Sequence, residues 1–285
     1  MTEVKTLTST RPFTDLTALT ALGDGAYAAH IDPIWTIGPK VHGGCMTAVC
    51  GAAARESIRA AGGDRGLQPM SISANYLAAP DPGDIRLETT VRKRGRQVCV
   101  VDVDLLQGDS LAVSATVTLG FPDAGEPRHR EPLALDALPA EPTADAIVVA
   151  NGHPMSEIVH VSKGCQLRVD PAAARYLTGE IGDPVNRLWA RPLTEDETDV
   201  DVAVLFAIML GDISAPVTMN RGMLGWAPTV QLTTYLRRLP TAGWLRVMAS
   251  ATVIGGTWFE EDHLVLDTTG QVVVQSRQLA MIPKS

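Results

Sequence analysis

The fold is decided by a run of small residues at positions 41–53, which reads VHGGCMTAVCGAA. Alanine, glycine and cysteine have short side chains, so a helix rich in them can lie close against a sheet. We expect this helix at positions 45–61, opened by the glycine pair Gly43-Gly44. Glycine leaves the backbone N–H groups of a first helical turn unshielded. The stretch therefore predicts a closely packed helix with open amide donors at its start.

Segments in which apolar and polar residues alternate lie on both sides of a proline-rich stretch. This alternation, rich in Val, Ile and Thr, predicts half-buried antiparallel strands. A second helix is predicted at 202–210, where Asp199 and Asp201 place negative charge at the helix start. A strand remains an alternative there, because valines alternate around Val202. The predicted strands are 85–92, 98–106, 111–119, 229–237, 245–254, 263–267 and 272–281.

The two halves of the chain repeat one pattern. Tyr-Leu pairs at 76–77 and 235–236 are followed by Gly-x-x-Arg at 83–86 and 243–246. Later glycines also correspond, 95 with 255 and 108 with 270, so the offset is 160 to 162 residues. We interpret this as a duplication. The prediction is an α+β protein with an N-terminal repeat at 1–121, a proline-rich linker at 122–146 and a C-terminal repeat at 147–285, each repeat a long antiparallel sheet wrapped around one helix.

Composition and charge narrow the class of protein. The 285 residues are 45% hydrophobic and 20% charged, as in ordinary globular proteins. A net charge of -8 argues against nucleic acid as a partner. The four cysteines form no CxxC pair and the histidines no metal-like spacing, so we expect reduced thiols, a cytoplasmic location and no metal. No signal peptide or membrane span is expected, and nucleophile-elbow, phosphate-loop and dinucleotide motifs are absent from the sequence.

The first candidate site lies at His42-Gly43-Gly44. Amide donors at a helix start suit a carbonyl oxygen that acquires negative charge. The alternative is a turn that needs glycine for backbone reasons. His42 itself could contact substrate, or it could simply pack at the helix start.

VHGGCMTAVCGAA, followed by SISANYLAAPDPGD at 71–84 in a chain whose two halves repeat one pattern, resembles the double hot dog acyl-CoA thioesterases, specifically the acyl-CoA thioesterase II family. The resemblance covers residues 20–121 and 160–283. It implies a hydrolytic water held by Asp212, Thr229 and Gln278 of the second half. The family often has an aromatic residue at the position of His42 and a serine at that of Gly211, so the sequence departs from it in two places.

The repeat offset indicates one site per chain. It sets Asp212 opposite Ala52, Thr229 near Met70 and Gln278 opposite Thr116, so the first half lacks the polar set. The second half reads Asp201-Val202-Ala203 where the first has the glycine pair. The halves are therefore complementary, one offering amide donors and the other the base.

Each candidate also has a structural alternative. Asp212 could cap the apolar run before it, Thr229 could be an ordinary strand threonine, and Gln278 could face solvent. The positive run that contains Arg92, Arg94 and Arg96 could bind the phosphates of coenzyme A, or it could be a solvated hairpin end.

The favoured function is hydrolysis of an acyl-CoA thioester, with no cofactor because coenzyme A is part of the substrate. A non-catalytic acyl-CoA or lipid-binding protein with the same fold is the main alternative, and a hydratase on a related fold ranks last. Copies of the chain could also assemble through exposed sheet edges into a homo-oligomer.

Overall fold

A computed structural model describes residues 9–150, 152–197 and 199–283 of the chain. Its α-helices are α1 (Pro12–Leu16), α2 (Gly43–Ala60) and α3 (Val200–Met209). Its strands are β1 (Thr20–Gly23), β2 (Ala26–Ile31), β3 (Thr36–Ile37), β4 (Lys40–Val41), β5 (Gln68–Tyr76), β6 (Gly83–Arg94), β7 (Cys99–Gln107), β8 (Ser110–Gly120), β9 (Ile147–Val149), β10 (Cys165–Val169), β11 (Val185–Pro192), β12 (Thr229–Leu236), β13 (Leu245–Ser250), β14 (Trp258–Leu266) and β15 (Val272–Met281).

Both predicted helices are present, and 202–210 is helical rather than extended. The alternating valines do not require a strand, because α3 is buried on nearly all sides from Val202 to Met209. A helix in such a position is apolar on every face. The predicted strand 245–254 ends earlier, at Ser250, and the predicted strand 263–267 begins earlier, at Trp258. The other five predicted strands correspond to β6, β7, β8, β12 and β15, and each end lies within two residues of the predicted end.

One long antiparallel sheet joins the two halves. Its strand order is β1-β2-β6-β7-β8-β5-β12-β15-β14-β13-β11-β10-β9. The central part reads β6-β7-β8-β5 in the first half and β13-β14-β15-β12 in the second, so the halves mirror each other about the β5–β12 pair. This topology confirms the α+β prediction, with α2 and α3 packed in the core on the inner side of the sheet.

The strand register defines which residues correspond between the halves. Ser73 pairs with Thr233 at the centre of the sheet, and 233 − 73 = 160. Leu232 pairs with Gln278, and its counterpart Ile72 pairs with Val117. The structural counterpart of Gln278 is therefore Val117, at an offset of 161, and the expected Thr116 is wrong by one residue. That difference matters because Thr116 lies on the outer face of the sheet, where it donates to Asp102.

A β-bulge occurs at the same place in both halves. The register shifts between Pro69 and Ser71 in β5, and between Thr229 and Gln231 in β12. Pro69 is thus the counterpart of Thr229, since 229 − 69 = 160. Proline cannot supply a hydroxyl group, so the first half lacks the side chain that the second half offers here.

The two core helices run antiparallel and contact each other at both ends. Gly44 at the start of α2 lies near Met209, and Arg55 towards the end of α2 lies near Asp201 at the start of α3. Arg55 Nη1 donates to the carbonyl oxygen of Asp201 at 3.2 Å. Arg59 donates two hydrogen bonds to the Asp201 carboxylate, at 2.7 and 3.1 Å. The end of α2 is therefore tied to the start of α3 by ion pairs.

The proline-rich stretch 122–146 is an irregular segment with one 3-10 turn at Ala134–Ala137. It packs on the outer face of the second half, where Leu135 and Leu138 bury Trp189 and Trp244. The Trp189 indole N–H donates to the Pro139 carbonyl oxygen at 2.8 Å. The linker therefore covers part of the sheet, while the domain limits at 121 and 147 stay predictions.

One segment, Val200–Arg221, has the length and apolar composition of a membrane-crossing helix. It contains α3 and is mostly buried inside the protein. A core helix of a soluble protein has the same properties, so this segment is weak evidence for a membrane span.

Candidate active site

Asp212 ends a short 3-10 helix, Leu210–Asp212, that continues α3. Its side chain is 10% exposed. Burial raises the pKa of the Asp212 carboxyl, whereas the nearby His42 imidazole and a hydrogen bond from the Gly44 amide lower it. The carboxylate of one half is thus stabilised by the first helical turn of the other half.

The glycine pair allows this close approach. A Cβ atom on Gly43 would lie 2.5 Å from Asp212 Oδ2, and one on Gly44 would lie 2.4 Å from the Met209 carbonyl oxygen. Any larger residue would push α2 away from Asp212. Gly43 and Gly44 are the first two residues of α2, so their backbone amides have no intrahelical acceptor.

His42 holds the backbone of Asp212. The distance from His42 Nε2 to the Asp212 carbonyl oxygen is 2.9 Å, and the distance to the carboxylate Oδ2 is 3.8 Å. The other ring nitrogen, Nδ1, lies 3.6 Å from Cys45 Sγ. His42 is 5% exposed, so it packs at the helix start and contacts Asp212 at the same time.

Thr229 and Gln278 form a direct pair. Thr229 Oγ1 donates to Gln278 Oε1 at 2.7 Å, which fixes the orientation of the amide. Gln278 is buried on the inner face of β15 and does not face solvent. The bulge in β12 places Thr229 opposite Ala280, on the same inner face.

Ser276 ties the 3-10 turn that contains Asp212 to the strand that carries Gln278. Its hydroxyl donates to the carbonyl oxygen of Gly211 at 2.6 Å. Ser276 and Gln278 are two residues apart on one face of β15, a spacing of about 7 Å along the strand. The structure therefore brings Thr229 and Gln278 into contact and holds the turn that contains Asp212 against the same strand.

Tyr76 is a further polar group at this site. The sequence analysis identified it only as part of the Tyr-Leu pair that is repeated in the two halves. Its hydroxyl lies 2.7 Å from Thr47 Oγ1 and donates to the Gly43 carbonyl oxygen at 3.1 Å. Burial, together with the charge of Asp212, raises the pKa of Tyr76 well above its ordinary value. Tyr76 thus remains a neutral hydrogen-bond donor beside Asp212.

The arginine cluster lies elsewhere. Arg92, Arg94 and Arg96 are exposed around the β6–β7 hairpin, and Arg92 Nε donates to Asp102 at 2.6 Å. Arg94 Nη2 lies 3.3 Å from the position of a Cβ on Gly62, just beyond the end of α2. Because α2 has 18 residues, this point is about 27 Å from Gly43. The structure does not bring these arginines to Asp212, so their placement gives no support to phosphate binding at this site.

No group of three or more His, Cys, Asp and Glu side chains in residues 9–150, 152–197 and 199–283 is arranged to hold a metal ion. All four cysteines are buried free thiols. Burial raises the pKa of Cys45, and of Cys50 to about 12, so these thiols are poor nucleophiles.

Family models match both halves of the chain. The acyl-CoA thioesterase N-terminal domain matches residues 31–120, and the acyl-CoA thioesterase C-terminal domain matches residues 133–282. The chain belongs to the acyl-CoA thioesterase family. This membership confirms the resemblance that the glycine motif indicated.

Solved structures show the same fold as this acyl-CoA thioesterase family member. A candidate thioesterase II from Thermobifida fusca YX is 25% identical and has a TM-score of 0.82, with 96% of this chain and 100% of that chain covered. An acyl-CoA thioesterase II from Mycobacterium marinum is 14% identical, with a TM-score of 0.69 and 96% and 98% covered. A hot dog protein of unknown function from Alicyclobacillus acidocaldarius has a TM-score of 0.77 at 17% identity, with 97% and 100% covered. The double hot dog fold is thereby confirmed.

An uncharacterised protein of Mycobacterium tuberculosis H37Rv is 44% identical to this family member over 270 residues, which is 90% of this chain and 91% of that protein. The similarity extends over nearly the whole length of both chains.

Proposed function

We propose that this protein hydrolyses an acyl-CoA thioester to a carboxylic acid and coenzyme A. The observation that carries the proposal is the buried Asp212 carboxylate. It lies against the first turn of α2, and the neighbouring Gly211 is tied to Ser276 on the strand that carries Gln278. Membership in the acyl-CoA thioesterase family supports the choice of a thioester as substrate.

In the proposed reaction, Asp212 accepts a proton from a water molecule as the water oxygen attacks the thioester carbonyl carbon. The carbonyl oxygen becomes negatively charged in the tetrahedral intermediate. Collapse of the intermediate breaks the carbon–sulfur bond, and the leaving thiolate takes up the proton that Asp212 had accepted. The products are one carboxylic acid and one coenzyme A thiol.

The environment of Asp212 suits a general base. Burial makes the carboxylate more basic than an exposed aspartate, because the charged form is poorly solvated. The nearby His42 and the Gly44 amide oppose that rise in pKa. A base that is ionised but more basic than usual transfers protons efficiently near neutral pH.

Gln278 and Thr229 would fix the attacking water by hydrogen bonds. Thr229 holds the Gln278 amide in one orientation, and a positioned water loses less entropy when it reacts. The Gly43 amide would stabilise the negatively charged oxygen. An amide donor of this kind contributes about 3 kcal/mol to the transition state in other enzymes.

The test is release of free thiol from acyl-CoAs of short, medium and long chain, measured together with equilibrium binding of the same compounds. Saturable thiol release that exceeds spontaneous hydrolysis supports the proposal and ranks the chain lengths. Tight binding without thiol release at any chain length would contradict it and would favour the non-catalytic acyl-CoA-binding protein. A cytoplasmic location and assembly into a homo-oligomer remain predictions from the sequence.

A further inference from the structure

A second buried polar cluster lies beside Asp212, and the proposed reaction does not use it. We call Ser214, Glu261 and His263 the anchor cluster. Ser214 Oγ donates to Glu261 Oε1 at 2.7 Å, and the Val217 amide donates to Glu261 Oε2 at 3.0 Å. His263 Nε2 lies 3.1 Å from Ser214 Oγ and 3.3 Å from Glu261 Oε1. Glu261 and His263 are 1% and 2% exposed.

The first half shows that the fold does not need these polar groups. Glu261 pairs with Gln278 and His263 pairs with Ser276 across β14 and β15. The corresponding pairs in the first half are Val101 with Val117 and Val103 with Ala115. These four first-half residues are apolar and buried.

Valines at these positions make a complete core in the first half. A buried carboxyl group and a buried imidazole are costly unless their hydrogen bonds are satisfied. Glu261 and His263 are present only in the half that contains Asp212, so their role is connected with that site rather than with the fold.

The anchor cluster fixes the backbone around Asp212. Ser276 holds the carbonyl oxygen of Gly211 at 2.6 Å, and His42 holds the carbonyl oxygen of Asp212 at 2.9 Å. Glu261 completes the set on the other side, because it binds the Ser214 hydroxyl and the Val217 amide. Hydrogen bonds therefore hold the chain at Gly211, at Asp212 itself and in the residues that follow it.

The geometry excludes a nucleophilic role for Ser214. In a serine-histidine-acid triad the serine contacts one ring nitrogen and the acid contacts the other. Here Ser214 and Glu261 both lie near Nε2 of His263, whereas Nδ1 is buried without a hydrogen-bond partner among the described residues. Ser214 also gives its hydroxyl to Glu261.

We propose that Glu261, acting through Ser214 and the Val217 amide, is a positioning residue that holds Asp212 in its reactive place over Gln278. This inference rests on the proposed function of Asp212. Glu261 does not contact the substrate, and its side chain orders the loop that follows the base.

The test compares Glu261→Ala, Glu261→Gln and Ser214→Ala with the control Asp262→Asn. Asp262 is the next residue on β14, faces outward and pairs with the exposed Arg277. Glutamine can still accept from the Val217 amide and donate to Ser214, so it keeps the connection that alanine removes.

We expect Glu261→Ala to lower kcat about 100-fold, with KM nearly unchanged, because small displacements of a catalytic group have effects of that size. Glu261→Gln should restore most of the loss. Ser214→Ala should lower kcat about 10-fold, and it serves as the test if Glu261→Ala fails to fold. Rates are expressed per folded molecule, so a purely structural role would lower the yield or Tm and leave kcat unchanged.

A double-variant cycle separates this inference from the proposed function. If Glu261 acts through Asp212, Glu261→Ala should cost little further activity in an Asp212→Asn background. Full kcat in Glu261→Ala and Ser214→Ala would overturn the positioning role while leaving Asp212 as the base. A full multiplicative loss in the double variant would also overturn it. Wild-type kcat in Asp212→Asn alone would instead overturn the proposed function.

Discussion

His42 Nε2 lies 2.9 Å from the carbonyl oxygen of Asp212 and 3.8 Å from its carboxylate Oδ2. His42 precedes the first residue of the first-half helix, and Asp212 ends the 3-10 turn that continues the second-half helix. At the equivalent contact on the other side of the molecule, Arg55 donates to the Asp201 carbonyl oxygen at 3.2 Å. At both ends of the helix pair, the start of one helix therefore contacts the end of the other. Only one of these two contacts contains a buried aspartate that follows its helix.

Gly43→Ala should lower turnover sharply while the protein still folds. The new methyl group would lie 2.5 Å from Asp212 Oδ2, so the carboxylate must move. We expect kcat to fall about 100-fold, since displacement of the base disturbs the attack geometry. The control is Gly256→Ala, where no atom lies within 4 Å of the new Cβ. Steady-state kinetics on both variants checks this, and equal activity would contradict it.

The pH profile of kcat/KM should have an acidic limb set by Asp212. Burial raises the pKa of this carboxyl, so the base is protonated at a higher pH than an ordinary aspartate. Activity should be complete above that raised pKa and should be lost as the pH falls through it. Measurement from about pH 4 to pH 9 tests the sign. Full activity down to the ordinary aspartate value of 3.8 would be inconsistent with a buried base.

Thr229→Val should lower kcat about 10-fold, because valine has the shape of threonine but cannot orient the Gln278 amide. Thr229→Ser keeps the hydroxyl group and should remain close to wild type. Thr233→Val is the matched control, since Thr233 lies on the same strand but its hydroxyl contacts Ser73. If Thr229→Val and Thr233→Val have the same kcat, Thr229 is an ordinary strand threonine.

Glu261 should make the free energy of unfolding depend on pH. Burial raises the pKa of Glu261 from 4.5 to about 8. The folded protein therefore binds a proton that the unfolded chain releases, and its stability should decrease as the pH rises from 4.5 to about 8. Glu261→Gln removes this titration, so its stability should fall less over the same interval. Urea denaturation at several pH values measures the difference, and parallel curves for the two proteins would rule out the effect.

Asp201→Ala should destabilise the protein without affecting catalysis. It removes the carboxylate that Arg55 and Arg59 share, at side-chain exposures of 8% and 14%, and leaves Arg59 paired only with Glu56. We expect a loss of about 2 kcal/mol, because Asp201 is partly exposed and a fully buried pair costs more to break. The exposed pair of Asp262 with Arg277 is the control, and Asp262→Asn should change the stability much less. A lower kcat per folded Asp201→Ala molecule would contradict this prediction, because it would mean that the ion pairs at the end of α2 affect catalysis at its start.

The sequence allowed prediction of the helices and most strands because their signals are periodic and local. The small residues of α2 and the alternation in β15 are examples. Asp212, Thr229 and Gln278 depended on the family resemblance, because nothing local distinguishes them from a cap, a strand threonine and a surface glutamine. The structure adds their contacts, and the catalytic roles remain proposals.

Glu261 and His263 could not be found from the strand pattern. They occupy inward positions of β14 where an apolar residue is expected. The sequence pattern therefore predicts a strand only from His263 onward. A signal was nevertheless present in the repeat, since an offset of 160 aligns them with Val101 and Val103. Buried polar residues interrupt the hydrophobic pattern, and the comparison between halves is what identifies the interruption.

The most direct test of the central claim is thiol release from a saturating acyl-CoA by wild type, Asp212→Asn and the control Asp262→Asn. Asparagine has nearly the size of aspartate and cannot accept the proton from water. We predict that Asp212→Asn loses about 1000-fold in kcat, within the range for a general base, and still binds the acyl-CoA like wild type. Asp262→Asn should keep its activity. Wild-type kcat in Asp212→Asn would contradict the assignment of Asp212 as the base.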